Sequence, residues 1–119
     1  MSATNSLAMI RYSRYSKGVS EESELTQRQK KQLRGIAQRL EAMTKVGKAG
    51  LSDAFVKSVD QMLEQHELLK VRFAEHKDER KELSIKLAES THSVLIASIG
   101  HVIVLFRRHP DPEKRKIKI

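Results

Sequence analysis

The chain has no cysteine, no tryptophan, two prolines and only 4% aromatic residues among its 119 positions. The absence of cysteine excludes disulfides, thiolate nucleophiles and every cysteine-containing zinc site, so packing alone must stabilise the fold. The longest uncharged apolar stretch, residues 94–106, is interrupted by Ser98, Gly100 and His101, and it is too short to cross a membrane. This length and composition predict one compact domain under a heavily charged surface, with no membrane partner.

Aromatic side chains are too few to form a platform for stacked bases. The three phenylalanines all fall at positions that we expect to be in the core: Phe55, Phe73 and Phe106. Domains that recognise single-stranded RNA base by base need exposed aromatic surfaces. Recognition of phosphate, sugar and shape therefore fits this chain better, with limited reading of the base sequence.

Positive charge is concentrated in two segments. The formal net charge is +8, from 23 Lys and Arg against 15 Asp and Glu. Residues 28–48 carry seven basic residues and one acid, and residues 107–119 carry six basic residues and two acids. Residues 49–106 have a net charge of −2, and residues 1–27 have a net charge of zero. This pattern predicts one positive face on a balanced body and favours a polyanionic partner, nucleic acid first.

The chain divides into three parts. Residues 1–23 show little periodicity and predict a mobile N-terminal arm, residues 24–108 predict the folded domain, and residues 109–119 predict a short basic tail. The first 20 residues are basic and free of acid, which is typical of an organellar transit peptide and equally of a disordered basic arm. We expect a cytoplasmic location, with organellar import as the alternative.

Periodicity predicts the element order α-β-α-β-α-β-β. A capping box of Thr26 and Gln29 starts a helix that we expect to reach residue 41, and Ser52 is the expected N-cap of the second helix. Two β-branched runs around Gly100-His101 predict a hairpin with both strands buried. This order implies an α/β fold in which parallel crossovers and one antiparallel hairpin form a mixed four-stranded sheet packed with three helices. The remaining predictions are a strand at 43–46, helix two ending near 65, a strand at 69–73, a helix at 78–90 that buries Leu83, Leu87 and Ile85, and hairpin strands at 94–99 and 102–106.

The segment Gly47-Lys48-Ala49-Gly50 is the strongest candidate for a phosphate site. Glycines at both ends let backbone N–H groups approach phosphate oxygens, and the helix that Ser52 opens adds the positive end of its dipole. Lys45 and Lys48 would supply full charges. A tight turn before a helix also explains such a tetrapeptide, so the pattern alone leaves both interpretations open.

Further candidates are the cations of the first helix and of the C-terminal end. Lys30, Lys31 and Arg34 lie in a segment with one compensating acid, which favours a ligand-binding face over a merely solvated one. Lys70 and Arg72 form the polar side of a predicted strand, where a solvated face and a contact are equally reasonable. Arg107 and the basic tail would add sequence-independent attraction, or would only keep the protein soluble.

The five histidines predict no catalytic or metal site. Their positions, 66, 76, 92, 101 and 109, match no H-x-x-x-H or H-E-x-x-H spacing and fall on different elements. His66 stands where the second helix ends, and an imidazole near the last carbonyls explains it without chemistry. We expect a protein that is not an enzyme and that needs no cofactor.

Four segments in order resemble the CRM domain, named for chloroplast RNA splicing and ribosome maturation, and most of all its stand-alone YhbY-like form. They are QKKQLRGIA (29–37), VGKAGLS (46–52), HELLKVRF (66–73) and IGHVIVLFR (99–107). The resemblance implies a fold similar to the C-terminal domain of translation initiation factor three, RNA as ligand, and a role in maturing the large ribosomal subunit. By position, the family's GxxG loop falls on residues 47–50 and its basic helix on Lys30, Lys31 and Arg34.

Two hypotheses follow. The first is a monomeric RNA-binding protein that contacts ribosomal RNA in precursors of the large subunit. The alternative is a protein-interaction adaptor that recruits a partner through its sheet edge or acidic middle, with incidental RNA contact. The long N-terminal arm is a departure from the stand-alone bacterial pattern.

Overall fold

The computed structural model describes residues 25–119, so the predicted arm at residues 1–23 lies outside the described residues. The described residues form three helices and four strands, in the order α-β-α-β-α-β-β. The helices are α1 (Gln27–Gln38), α2 (Asp53–His66) and α3 (Arg80–Ser90). The strands are β1 (Thr44–Val46), β2 (Leu68–Phe73), β3 (Val94–Ile99) and β4 (Val102–Phe106). None of these three helices is long and apolar enough to cross a membrane.

The start of α1 follows from local sequence. Thr26 Oγ1 accepts a hydrogen bond from Gln29 N at 3.0 Å, and Gln29 Oε1 accepts one from Thr26 N at 3.0 Å, so the predicted capping box is confirmed. Leu33 and Ala37 are the buried positions of the helix. The helix ends at Gln38, earlier than predicted.

The sheet has the strand order β1-β2-β4-β3. β1 and β2 are parallel, and β4 is antiparallel to both of its neighbours, β2 and β3. The crossovers through α2 and α3 therefore each lead to a strand of the same direction, and the last strand inserts between β2 and β3. The predicted fold class is confirmed: one α/β domain with three helices and a mixed four-stranded sheet.

Each face of the sheet has its own core. The larger core packs α2 and α3 against one face, and the smaller core packs α1 against the other. The larger core contains Val46, Val59, Leu63, Leu69, Val71, Phe73, Leu87, Ala88, Ile103 and Leu105. The smaller core contains Leu25, Leu33, Ala37, Leu68, Ile96, Val104 and Phe106. Alternate residues of β2 and β4 thus serve opposite faces, as strand geometry requires.

The C-terminal segment packs onto the α1 side of the sheet. Ile117 and Ile119 contact the smaller core. The carboxylate of Glu67, which is 1% exposed, accepts backbone hydrogen bonds from His109 N (2.8 Å), Lys116 N (2.6 Å) and Ile117 N (2.9 Å). One buried side chain therefore fixes the path of the predicted basic tail.

Two predictions about burial were wrong. β3 was expected to be buried, but it is an edge strand in which only Ile96 is buried and Ile99 is 64% exposed. Ile85 was expected to be buried in α3, but it is 48% exposed, because Leu87 and Ala88 face the core instead. The predicted bounds of the hairpin are confirmed, and Gly100 has the positive φ (+59°) that its turn requires.

Candidate nucleic-acid interface

The GKAG loop, residues 47–50, lies at the carboxyl end of the parallel pair of strands. Val46, the last residue of β1, pairs in register with Phe73, the last residue of β2. The carbonyl of Val46 accepts hydrogen bonds from Ala74 N and Glu75 N, both at 3.1 Å, which ties the segment after β2 to the base of the loop. The loop closes with a 3.0 Å hydrogen bond from Gly50 N to Gly47 O.

The two glycines of the loop serve different purposes. Gly50 has a φ of +64°, a conformation that glycine adopts without strain. Gly47 has no positive φ, and a Cβ built on it would meet no atom within 4 Å. The backbone at Gly47 therefore borders open space, where a ligand could approach closely. Lys48 and Ala49, between them, are exposed.

His76, in the segment after β2, contacts the GKAG loop. No sequence signal predicted this contact. Its Nε2 lies 2.8 Å from the carbonyl oxygen of Lys48, and its Nδ1 lies 3.3 Å from Glu79 Oε1. The ring also lies under Gly50, with Nε2 3.6 Å from the place of a Cβ. Hydrogen bonds to the Lys48 carbonyl and to Glu79 raise the pKa of His76 above its usual 6.5. No sequence pattern marks such a contact, because its partner is a backbone group 28 residues away.

Ser52 begins α2 directly after the loop. Its Oγ accepts a hydrogen bond from Phe55 N at 3.2 Å, so the side chain acts as the predicted N-cap of α2. Asp53 occupies the first turn, where its charge offsets part of the positive helix end. Because the hydrogen bond from Phe55 N uses only a lone pair of the hydroxyl oxygen, the Ser52 O–H can still donate.

Lys45 and Arg72 lie side by side on the α1 side of the sheet. They are register partners across β1 and β2, and their chain neighbours Val46, Val71 and Phe73 face the opposite core. Both are exposed. The row of residues that precedes the GKAG loop is therefore cationic on this face.

The predicted basic helix also lies on this face. α1 packs Leu33 and Ala37 against the sheet, which leaves Lys31 exposed and places Lys30 and Arg34 half-buried at its flank. The helix is followed by residues 39–43, which lead into β1. Near that end, Lys70 Nζ donates a 2.9 Å hydrogen bond to Leu40 O, so Lys70 holds the end of the helix segment.

The cations of this region are not neutralised by carboxylates in the part of the chain that the structure describes. The ion pairs within residues 25–119 join His76 to Glu79 and Arg107 to Asp60. Five of the predicted cations are in neither pair: Lys30, Lys31, Arg34, Lys45 and Lys48. Their charge is therefore available to a polyanion.

Arg107 is placed differently from the other predicted site residues. Its guanidinium donates to Asp60 Oδ1, to Asp60 O at 2.9 Å and to Thr91 O at 2.8 Å, and the side chain is 17% exposed. These contacts join β4 to α2 and to the end of α3, on the side of the sheet opposite α1. The structure therefore does not bring Arg107 together with the other predicted cations.

Within residues 25–119, no three His, Asp or Glu side chains come together in a group that could hold a metal ion. The burial of His92, near the end of α3, lowers its pKa below 6.5, and Arg107 acts in the same direction. The candidate interface offers hydrogen bonding and positive charge.

Known proteins that are similar to this chain include two bacterial relatives and one solved structure. A "Probable RNA-binding protein" of Pseudomonas aeruginosa is 35% identical over 91 residues, which cover 76% of this chain and 88% of the relative. An "RNA-binding protein" of Haemophilus influenzae is 32% identical over 96 residues, which cover 80% of this chain and 94% of the relative. The solution structure of a Staphylococcus aureus protein matches with a TM-score of 0.65 and 34% identity, covering 79% of this chain and 99% of that one.

The family model of the CRS1 / YhbY (CRM) domain matches residues 25–107, which include every helix and strand described above. The resemblance inferred from the four sequence segments is thereby confirmed. This chain belongs to the CRS1 / YhbY (CRM) domain family.

Proposed function

We propose that this protein binds RNA by its sugar-phosphate backbone, through the GKAG loop and the cations of α1 and β1. The observation that carries the proposal is the open surface at Gly47, next to an exposed Lys48, in a region whose cations have no carboxylate partner within residues 25–119. The names of the bacterial relatives support RNA as the polyanion.

The geometry suits a phosphate in two ways. Because Gly47 has no side chain and borders open space, a phosphate oxygen can come within hydrogen-bonding distance of the loop backbone. Lys48 in the loop and Lys45 in β1, the strand before the loop, add charge that is not already paired. Such contacts read the backbone and not the bases, so we expect affinity with limited sequence preference.

We further propose that the RNA is ribosomal RNA in precursors of the large subunit, and that the protein acts as a monomer in the cytoplasm without catalysing a reaction. The family resemblance supports this setting. Cross-linking the tagged protein to RNA in cells, followed by sequencing, tests it. Cross-links concentrated on large-subunit RNA in precursor particles are expected, and cross-links spread over messenger RNA would contradict the assembly role.

The first prediction concerns salt. If about five cations meet phosphates, the logarithm of the association constant should fall with the logarithm of the salt concentration with a slope of about −3 to −4, at about −0.7 per contact on a single strand. Lys48→Glu should lower the affinity and flatten the slope. Lys86→Glu is the matched control, because Lys86 is an exposed lysine of α3, on the other side of the sheet.

Fluorescence anisotropy with a labelled RNA over a series of salt concentrations measures both quantities. A nearly flat slope in the unmodified protein would favour the adaptor hypothesis, in which RNA contact is incidental. Equal loss of binding in the Lys48 and Lys86 variants would show that net charge, and not the loop, determines the affinity. RNA that is cleaved by pure protein in the presence of a chelator would contradict the non-catalytic role.

A further inference from the structure

A row of four residues crosses the α1 side of the sheet just before the GKAG loop. Register joins Lys45 to Arg72 across β1 and β2, Arg72 to Val102 across β2 and β4, and Val102 to Ile99 across β4 and β3. At about 4.8 Å between strands, the row is about 14 Å long. We name these four residues the open row.

The open row is exposed because α1 covers only the other part of this face. The smaller core, which α1 and the C-terminal segment cover, is formed on the sheet by Leu68, Ile96, Val104 and Phe106. Beyond these core positions, towards the end of the sheet that carries the GKAG loop, Lys45 and Arg72 are exposed. On the same row, Val102 is half-buried and Ile99 is 64% exposed. This end of the face is therefore cationic on the β1 side and apolar on the β3 side.

Single exposed apolar side chains are normal on protein surfaces, whereas larger apolar patches, especially those rimmed by polar residues, mark binding sites. Here the apolar half of the row adjoins Arg72 and Lys45 directly, and neither cation forms an ion pair within residues 25–119. The row also lies at the same end of the sheet as the GKAG loop, since both come at the carboxyl end of β1.

We propose that the open row is a second RNA contact, which takes unpaired nucleotides that continue the strand held by the GKAG loop. This inference rests on the proposed function and extends it, because it names the form of RNA that the protein prefers. An arginine guanidinium can stack on a base, and every base has an apolar face that can pack on aliphatic side chains. Lys45, the member of the row that precedes the GKAG loop in the chain, meets the phosphate that joins the nucleotides of the two contacts.

Single-stranded RNA is the occupant that the row favours, because its cations suit any nucleic acid whereas its apolar half needs exposed base faces. A duplex buries its base faces, so it can use the GKAG loop and the cations but gains nothing from Ile99 and Val102. The contact is tolerant of base identity, in agreement with the scarcity of aromatic residues, because stacking and apolar packing do not read base edges.

The test compares two RNAs and four variants of the whole chain. The RNAs are a labelled single strand and a blunt duplex that contains the same strand. The variants of the row are Ile99→Thr, which keeps a β-branched side chain, and Arg72→Gln. Their controls are Ile85→Thr, an exposed isoleucine of α3, and Lys86→Gln, an exposed cation of the same helix. Thermal unfolding of each variant shows whether its fold is intact.

We expect each row variant to weaken single-strand binding roughly tenfold. Ile99→Thr should leave duplex binding within about twofold of that of the unmodified protein, whereas Arg72→Gln should weaken duplex binding as well, because a duplex can also use this cation. The control variants should change neither affinity. If Lys48→Glu weakens binding to both RNAs while the row variants match their controls, the open row is not a contact and the proposed function stands. If the unmodified protein binds neither RNA, the proposed function fails, and this inference fails with it.

A second copy of the chain is the competing occupant of an exposed edge strand. Sedimentation velocity of the unmodified protein and of Ile99→Thr distinguishes the two. A monomer in both cases supports the RNA contact. A dimer that the substitution dissociates would overturn it and would assign the row to self-association.

Discussion

His76 is the residue on which the shape of the GKAG loop depends most directly. Because the Lys48 oxygen is a carbonyl and only accepts, the Nε2 of His76 must carry a hydrogen and donate it. The 3.3 Å contact of Nδ1 with Glu79 is then favourable only when Nδ1 is protonated as well. The charged imidazolium therefore satisfies both contacts, and the neutral ring satisfies one.

This arrangement predicts a pH dependence. The folded-state pKa of His76 is raised above 6.5, so its stabilising contribution is complete below about 6.5 and is lost as the pH rises through the folded pKa. RNA affinity should therefore fall as the pH rises above about 6.5. His76→Asn, which tolerates the φ of +56° but is too short to reach Lys48, should bind more weakly and with a flatter pH profile.

His66→Gln is the control for this experiment, because His66 lies at the far end of α2 from the loop. It should retain the pH dependence of the unmodified protein. An unchanged pH profile in His76→Asn would mean that the loop keeps its shape without the imidazole.

The two glycines of the loop should respond differently to alanine. At Gly47 the added methyl group meets nothing and needs no positive φ, so the free energy of unfolding should change by less than about 0.5 kcal/mol while RNA affinity falls. At Gly50 a φ of +64° makes the same change cost about 1–2 kcal/mol of stability. Urea unfolding of both variants measures the free energy of unfolding, and fluorescence anisotropy measures RNA affinity. Unchanged RNA affinity in Gly47→Ala would refute the close approach of the loop backbone to a phosphate.

At the scale of elements, Arg107 joins three pieces of secondary structure. Its side chain donates to the carboxylate and the carbonyl of Asp60 in α2 and to the carbonyl of Thr91 after α3, while its own N–H donates to Glu67 O at 2.8 Å. Charge alone predicts this arginine as part of the RNA site. The structure gives it a role in holding β4 to both helices of the larger core.

Arg107→Gln should therefore lower the free energy of unfolding by about 2 kcal/mol, because charged hydrogen bonds to partly buried acceptors are lost. The salt slope of RNA binding should stay unchanged. Urea unfolding and anisotropy on the same preparation test both statements, and a decrease of the slope by about 0.7 would return Arg107 to the RNA contacts.

The elements themselves could largely be predicted from the sequence, because period and capping are local signals. The bounds of β3 and β4 follow from two β-branched runs separated by Gly100-His101, and Thr26 marks the start of α1. Strand order is not a local property, so the central place of β4 and the edge place of β3 could not be inferred from the runs alone. The exposure of Ile99 follows from that order.

The candidate site could be predicted only in part. The GKAG loop and Lys45 were recognisable from glycine spacing and charge. His76 was not, since it acts on a backbone carbonyl that is distant in sequence. The pairing of Arg72 with Lys45 depends on the register of β1 and β2, which a charge pattern does not contain.

At the scale of the whole molecule, Glu67 is the residue that fixes the C-terminal segment. It lies after α2 with a φ of +65°, and its buried carboxylate accepts three backbone hydrogen bonds from residues 109–117. The segment in turn places Ile117 and Ile119 on the smaller core beside α1. The basic tail is therefore attached to the same face as the cations of α1.

Glu67→Gln should lower the free energy of unfolding by about 1–3 kcal/mol, because the amide replaces one accepting oxygen with a donor that faces backbone N–H groups. Hydrogen exchange should also become faster at Lys116 and Ile117. Glu64→Gln is the control, since Glu64 is an exposed acid near the end of α2, three residues before Glu67. Unaltered exchange at these two amides would show that the apolar contacts alone hold the segment.

The insertion of β4 between β2 and β3 has a consequence for how the chain acquires its structure. The strand that is made last is the one that joins the two halves of the sheet, so a nascent chain that stops before Val102 has a parallel pair on one side and an unpaired strand on the other. Such a chain leaves apolar strand surface without a partner until β4 has been made. Folding should therefore occur in one late, cooperative step, after residues 102–106 have emerged from the ribosome that makes them.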